Sequence, residues 1–109
     1  EKAEYIRPFK NAGEDRRPTL TWPRQIPIDG SPLEVIDEVE KNGIFHKQSD
    51  IPKLFINADP GTILIGRQRE FVRSWNNLKE TTVKGNHFIQ EDSSDEIGSA
   101  IADFLKELQ

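Results

Sequence analysis

The sequence contains no cysteine and no methionine. Without cysteine there is no disulfide framework, no thiolate metal site and no thiol nucleophile, and nothing marks an oxidising or a reducing compartment. Positive charge is also short: 15 Lys and Arg stand against 19 Asp and Glu, and a net charge of -4 has the wrong sign for a surface that tracks phosphates. Nucleic acid is therefore not an expected partner. No apolar run approaches the roughly 20 residues of a membrane span or forms a signal-peptide core. The chain reads as soluble, cytoplasmic or periplasmic, with no membrane partner. Apolar residues reach 34%, a thin supply for a self-sufficient core. At 109 residues the length suits one domain, and the absence of methionine before Glu1 leads us to expect a piece of a longer translated chain.

What is present divides into recognisable segments. Ala3, Ile6 and Phe9 sit at helix-like spacing, and Pro8 predicts that this helix is ending. Residues 11–32 are punctuated by Gly13, Pro18, Pro23, Pro27, Gly30 and Pro32, which exclude a long helix or a central strand; Leu20, Trp22, Ile26 and Ile28 are expected to anchor this stretch as an ordered loop. Ser31-Pro32 predicts a helix start, followed by an apolar face of Leu33, Ile36, Val39 and Ile44 that Asn42-Gly43 weakens near its end. Residues 53–58 form a short continuous apolar run stopped by Asp59-Pro60-Gly61, the pattern of a strand buried on both faces. A short basic helix over 66–75, with Phe71, Val72 and Trp75 inward, leads to a second strand over 79–84. Strand, helix, strand is a βαβ unit with a parallel sheet. Ser93 and Glu96 have capping-box spacing, and Ile97, Ala100, Ile101, Phe104, Leu105 and Leu108 fall at 0, 3, 4, 7, 8 and 11, an amphipathic helix. The fold class is α/β. Two parallel strands make a poor sheet alone, so further strands are expected from elsewhere.

Few residues carry chemistry. Of the two histidines, His46 reads as a solvated residue of a polar helix tail, whereas His87 follows a glycine at the carboxyl end of a parallel strand, where open α/β sheets gather their ligands. Position alone suits a catalytic and a structurally satisfied His87 equally. A histidine base needs a nucleophile or water to deprotonate and a carboxylate to orient it, and the chain has no G-x-S-x-G elbow. Asp59 is a tempting orienter, but a turn-forming role in Asp-Pro-Gly explains it as well. The acidic group Glu91, Asp92, Asp95 and Glu96 lacks the spacing of a calcium loop, so no metal is expected. Arg16, Arg17, Arg24, Arg67, Arg69 and Arg73 read as solvated faces. Residues 62–65 and Trp22-Pro23 are apolar in loops, suited either to core or to the wall of an apolar pocket.

The stretches RRPTLTWPRQIP (16–27), IPKLFINADPG (51–61) and GNHFIQED (85–92), followed by DEIG (95–98), together resemble the carboxyl-terminal portion of haloalkane dehalogenases over nearly the whole chain. The third stretch is shared with the related coelenterazine luciferases. The resemblance implies the C-terminal part of an α/β-hydrolase fold. Residues 1–30 would be the end of the helical cap and its return loop; residues 31–109 would carry the last two parallel strands of the main domain with their flanking helices. It further implies that His87 is the catalytic base for hydrolysis of an alkyl-enzyme ester, formed when an aspartate displaces halide from carbon. Trp22, Pro23, Ile26, Thr62, Ile63 and Phe88 would line the substrate cavity or its tunnel. No cofactor is implied; the partners are a small halogenated aliphatic substrate, water and the halide product. The resemblance implies that the nucleophile and the halide-holding residues lie upstream of Glu1, and the triad acid with them, since Gly61 stands where many α/β-hydrolases carry that acid. The 109 residues alone are then expected to be inactive, and to aggregate, self-associate or require the missing N-terminal half. The rival expectations are a coelenterazine luciferase-like monooxygenase and a non-catalytic remnant or interaction module.

Overall fold

A computed structural model describes all of residues 1–109, and these group into two compact units, Glu1–Gly43 and Ile44–Gln109. In the first unit, helix α1 (Lys2–Ile6) passes into a 3-10 turn (Arg7–Phe9) that contains Pro8, so the helix ends where proline was predicted to end it. The stretch expected to be a loop is instead a chain of short helical pieces: a 3-10 turn at Glu14–Arg16, α2 (Arg17–Thr21) and a 3-10 turn at Pro23–Gln25. Pro18 and Pro23 stand in the first turn of their helices, where the missing N–H costs nothing. Arg16 binds this segment together, donating from Nε to the Phe9 carbonyl at 2.9 Å and from Nη2 to that of Lys10 at 3.2 Å. The expected anchors are not buried. Leu20, Trp22, Ile26 and Ile28 are all exposed, because no side chain of this unit is buried and there is no apolar layer in it to receive them.

Helix α3 (Leu33–Gln48) begins at Leu33 rather than on a Ser31 cap; Ser31 closes a turn with Ile28, their backbones exchanging two hydrogen bonds of 3.1 Å around Asp29 and Gly30, both at positive φ. The helix runs through Gly43, where the boundary between the units falls. Its predicted apolar face is largely uncovered: Ile36 is half-buried, while Leu33, Val39 and Ile44 are exposed.

The second unit holds the sheet. Strands β1 (Lys53–Pro60) and β2 (Leu78–Gly85) pair in parallel from Lys53↔Leu78 to Pro60↔Gly85, joined by helix α4 (Gly66–Arg73). β1 continues two residues beyond its predicted end, so Asp59 and Pro60 belong to the strand and not to a turn. Burial alternates along the middle of β1, with Phe55 and Asn57 buried and their neighbours only half-buried, so within this chain the strand is buried at its centre on one face and not on both. The buried apolar side chains are Phe55, Val72 and Val83, a small core that lies entirely in this unit. Val72 points inward as predicted, but Phe71 is 49% exposed.

The amino-terminal end of the sheet is closed by polar staples. Lys53 Nζ donates to the carbonyls of Ser49, Ile51 and Asn76 at 2.8, 2.8 and 2.9 Å, joining the exit of α3 to the loop before β2. Asn77, at φ 51, donates to the Asp50 carbonyl. His46 is also drawn in. It stacks on Trp75 with ring centroids 4.5 Å apart and buries its Nδ1, correcting the solvated reading; Trp75, 29 positions away in sequence, supplies the face that a local pattern could not reveal.

After β2, a short helix α5 (Ile89–Asp92) leads to α6 (Ser94–Glu107). The predicted capping box does not form. Ser93, only 4% exposed, donates its Oγ to the Lys84 carbonyl at 2.7 Å, tying the helix start to the end of β2. A buried hydroxyl has one proton to give, and the Lys84 carbonyl takes it.

Candidate functional site

The site is assembled where β1 and β2 end. The Gly61 N–H donates to the Gly85 carbonyl at 3.0 Å, closing the sheet before the chain departs in two loops, 61–65 and 86–88. Gly85 lies at φ +151, and a Cβ there would fall 2.9 Å from an Asp92 carboxylate oxygen and 3.0 Å from Ile89. Glycine thus lets α5 fold back against the strand end, and the intervening Asn86 and His87 are carried to the sheet's edge.

There His87 borders a cavity of about 210 Å³ with Thr62, Ile63, Leu64, Gly61, Ala58, Phe55, Ile56, Asn86 and Ile89. Thr62 and Ile63, expected from the sequence, meet His87 here. Phe88 is not part of this lining; its ring lies against that of His87, centroids 4.6 Å apart and tilted by 59°. Asp59 does not reach the cavity either. Trp22, Pro23 and Ile26 lie in the first unit, at the end of α2 and around the following 3-10 turn, with Trp22 79% exposed.

The lining is apolar apart from Thr62, Asn86 and His87, and it contains no carboxylate. Such a site can accept a small apolar molecule and offer it an imidazole, but within this chain it supplies no anionic nucleophile and no partner to orient the ring. No group of three or more His, Asp or Glu side chains converges as a metal ligand set would require.

The loop bearing Thr62 and Ile63 is held by a residue that sequence reasoning assigned to a solvated face. Arg69, on α4, donates from Nη2 to the carbonyls of Ala58 and Pro60 at 2.9 and 3.2 Å, and from Nε to that of Leu64 at 3.3 Å. Arg73 is likewise engaged, with Glu80 on β2 and Glu70 on its own helix. Arg16, Arg69 and Arg73 therefore act as ties. The only signal in the sequence was that Arg69 follows a glycine-rich turn within reach of its own strand.

Comparison with known proteins bears on the whole chain. The haloalkane dehalogenase of Mycolicibacterium smegmatis is 58% identical over 111 residues, covering 100% of this chain and 35% of the relative. The coelenterazine h 2-monooxygenase of Renilla reniformis is 42% identical over 108 residues, covering 97% of this chain and 34% of its own length. Among solved structures, an ancestral haloalkane dehalogenase superposes with a TM-score of 0.86 at 34% identity, over 96% of this chain and 37% of that one. No protein-family model matches the chain. The chain is thus similar throughout to haloalkane dehalogenases, spans about a third of their length as a C-terminal portion would, and has the corresponding part of an α/β-hydrolase fold. No helix is long and apolar enough to cross a membrane.

Proposed function

We propose that this chain is the C-terminal part of a hydrolase that cleaves carbon–halogen bonds in small aliphatic substrates, with His87 as its general base. The observation that carries the reading is the position of His87: it stands on the loop after the second parallel strand and borders an apolar cavity, in a chain 58% identical to a haloalkane dehalogenase. In this reading an aspartate from the N-terminal part of the fold attacks the halogen-bearing carbon, releasing halide and leaving an alkyl ester on the enzyme. His87 then takes a proton from water as the water oxygen attacks the ester carbonyl. The alcohol departs and the aspartate is regenerated. Displacement at such a carbon is favoured by a dry apolar enclosure, to which Thr62, Ile63 and Phe88 beside His87 contribute once the rest of the fold covers them. Residues 1–30 then end the cap and 31–109 belong to the main domain.

The absence of a carboxylate from the cavity lining makes the 109 residues inactive by themselves. The test is halide release from a short bromoalkane. The longer protein releases halide and loses at least about a hundredfold in ester hydrolysis on His87→Ala, while the isolated chain releases none. Halide release by the isolated chain, or full activity of the variant, overturns the reading. The 42% identity to a coelenterazine monooxygenase supports a second reading, which light emission from the longer protein on addition of coelenterazine would select. Neither halide release nor light would leave a non-catalytic interaction module.

A further inference from the structure

We infer that Arg69 is a positioning residue for the cavity beside His87, fixing the wall formed by residues 61–65 and with it the selectivity for substrate size. What the cavity holds rests on the dehalogenase reading; the tether itself does not. The loop after β1 is short, glycine-started and exposed at Thr62, Ile63, Leu64 and Ile65, so its own packing does not set its course. Its internal backbone bonding is slight, an Ile65 N–H donated to the Ile63 carbonyl at 3.0 Å. Arg69 supplies the rest. One guanidinium takes carbonyl oxygens from before the loop (Ala58), at its start (Pro60) and near its end (Leu64), so the two ends cannot move independently.

Gly61 is matched to this arrangement. It lies at φ +71, and a Cβ there would fall 2.9 Å from Arg69 Nη2 and 2.9 Å from the Ala58 carbonyl, so the guanidinium occupies space that only glycine leaves open. Arg69 reaches its three carbonyls from two separate nitrogens of a planar fork, Nη2 for Ala58 and Pro60 and Nε for Leu64, whereas a lysine has a single nitrogen and bridges three carbonyls only where they converge on one point, as they do around Lys53. Since Ala58, Gly61, Thr62, Ile63 and Leu64 all border the cavity, the tether sets its width opposite His87.

The experiment compares Arg69→Ala, Arg69→Lys and, as a control on the same helix, Arg73→Gln in the longer protein, using a short and a long 1-bromoalkane. Backbone hydrogen exchange is followed in parallel. Loss of the tether is expected to speed exchange at Gly61 and Ile65 by more than about tenfold while α6 keeps its protection. It should also raise KM for the short substrate about five- to tenfold relative to the long one, with kcat within about twofold. Arg69→Lys should behave like Arg69→Ala, because the fork and not the charge makes the bridge; rescue by lysine would assign the effect to charge and overturn the inference. Unchanged exchange in the loop, or an equal KM shift in Arg73→Gln, also overturns it. A wild-type protein that releases no halide refutes the proposed function, and the exchange measurement still decides the tether.

Discussion

Arg73 and Glu80 meet as a two-bond pair between the end of α4 and β2, Nε and Nη2 each lying 2.8 Å from one carboxylate oxygen. The hydrogen bonds from Arg73 hold the Glu80 carboxyl below its ordinary range, and the same contact raises the guanidinium further above its own. The pair fastens the crossover helix to the strand it feeds.

The sign of the resulting pH dependence follows. A carboxyl whose pKa is depressed on folding contributes stability that is fully present above the unfolded glutamate value of about 4.3 and fades as pH falls through the lower folded value. Urea midpoints measured from pH 7 down to pH 3 should fall more steeply for wild type than for Glu80→Gln, which should begin lower at pH 7. Parallel pH profiles would contradict this pairing.

Ser93→Ala should cost about 1 kcal/mol, since it removes the part-buried hydrogen bond from the Ser93 hydroxyl to the Lys84 carbonyl. Glu96→Ala should stay within about 0.5 kcal/mol, because no capping box forms. Urea unfolding of the two variants separates a strand tie from a helix cap, and the reverse order of effects would restore the cap.

Two glycines in the last third of the chain should respond with opposite signs. Gly85→Ala places a methyl group against Asp92 and Ile89 at a φ that side chains avoid, for a loss of about 1–3 kcal/mol. Gly98, inside α6, has nothing within 4 Å of a Cβ position, so Gly98→Ala should stabilise by about 0.5–1 kcal/mol through helix propensity. Thermal unfolding checks both.

The 109 residues expressed alone should self-associate. Ile101 and Leu105 on α6 and Leu108 just past its end lie exposed, and soluble monomers rarely show contiguous apolar patches. Light scattering at micromolar concentration should report oligomers, reduced by Ile101→Glu with Leu105→Glu. A monodisperse wild-type monomer would refute this.

Elements whose signal is local were legible in the sequence: the strand of residues 53–58, the helix with apolar positions from Ile97 to Leu108, and the stop at Pro8. His87 was placed correctly at a strand's end because the glycine before it and the parallel pairing are both readable from pattern. Contacts between distant segments were not legible. Ser93 has ideal cap spacing yet spends its proton on a carbonyl nine residues earlier. His46 follows a polar pattern yet lies under an indole, and Arg69 looks like surface charge yet holds a loop. Apolar pattern also over-predicted burial at Leu20, Trp22 and Ile28, because periodicity reports which side chains favour cover and not what covers them.

Lys53 gives all three of its ammonium protons to carbonyl oxygens. An acylating reagent needs the free amine with its lone pair turned outward, so this nitrogen should be among the slowest in the chain to be labelled. Its rate of capture would then time how often the end of α3 parts from the sheet, a clock that was wired in by the fold.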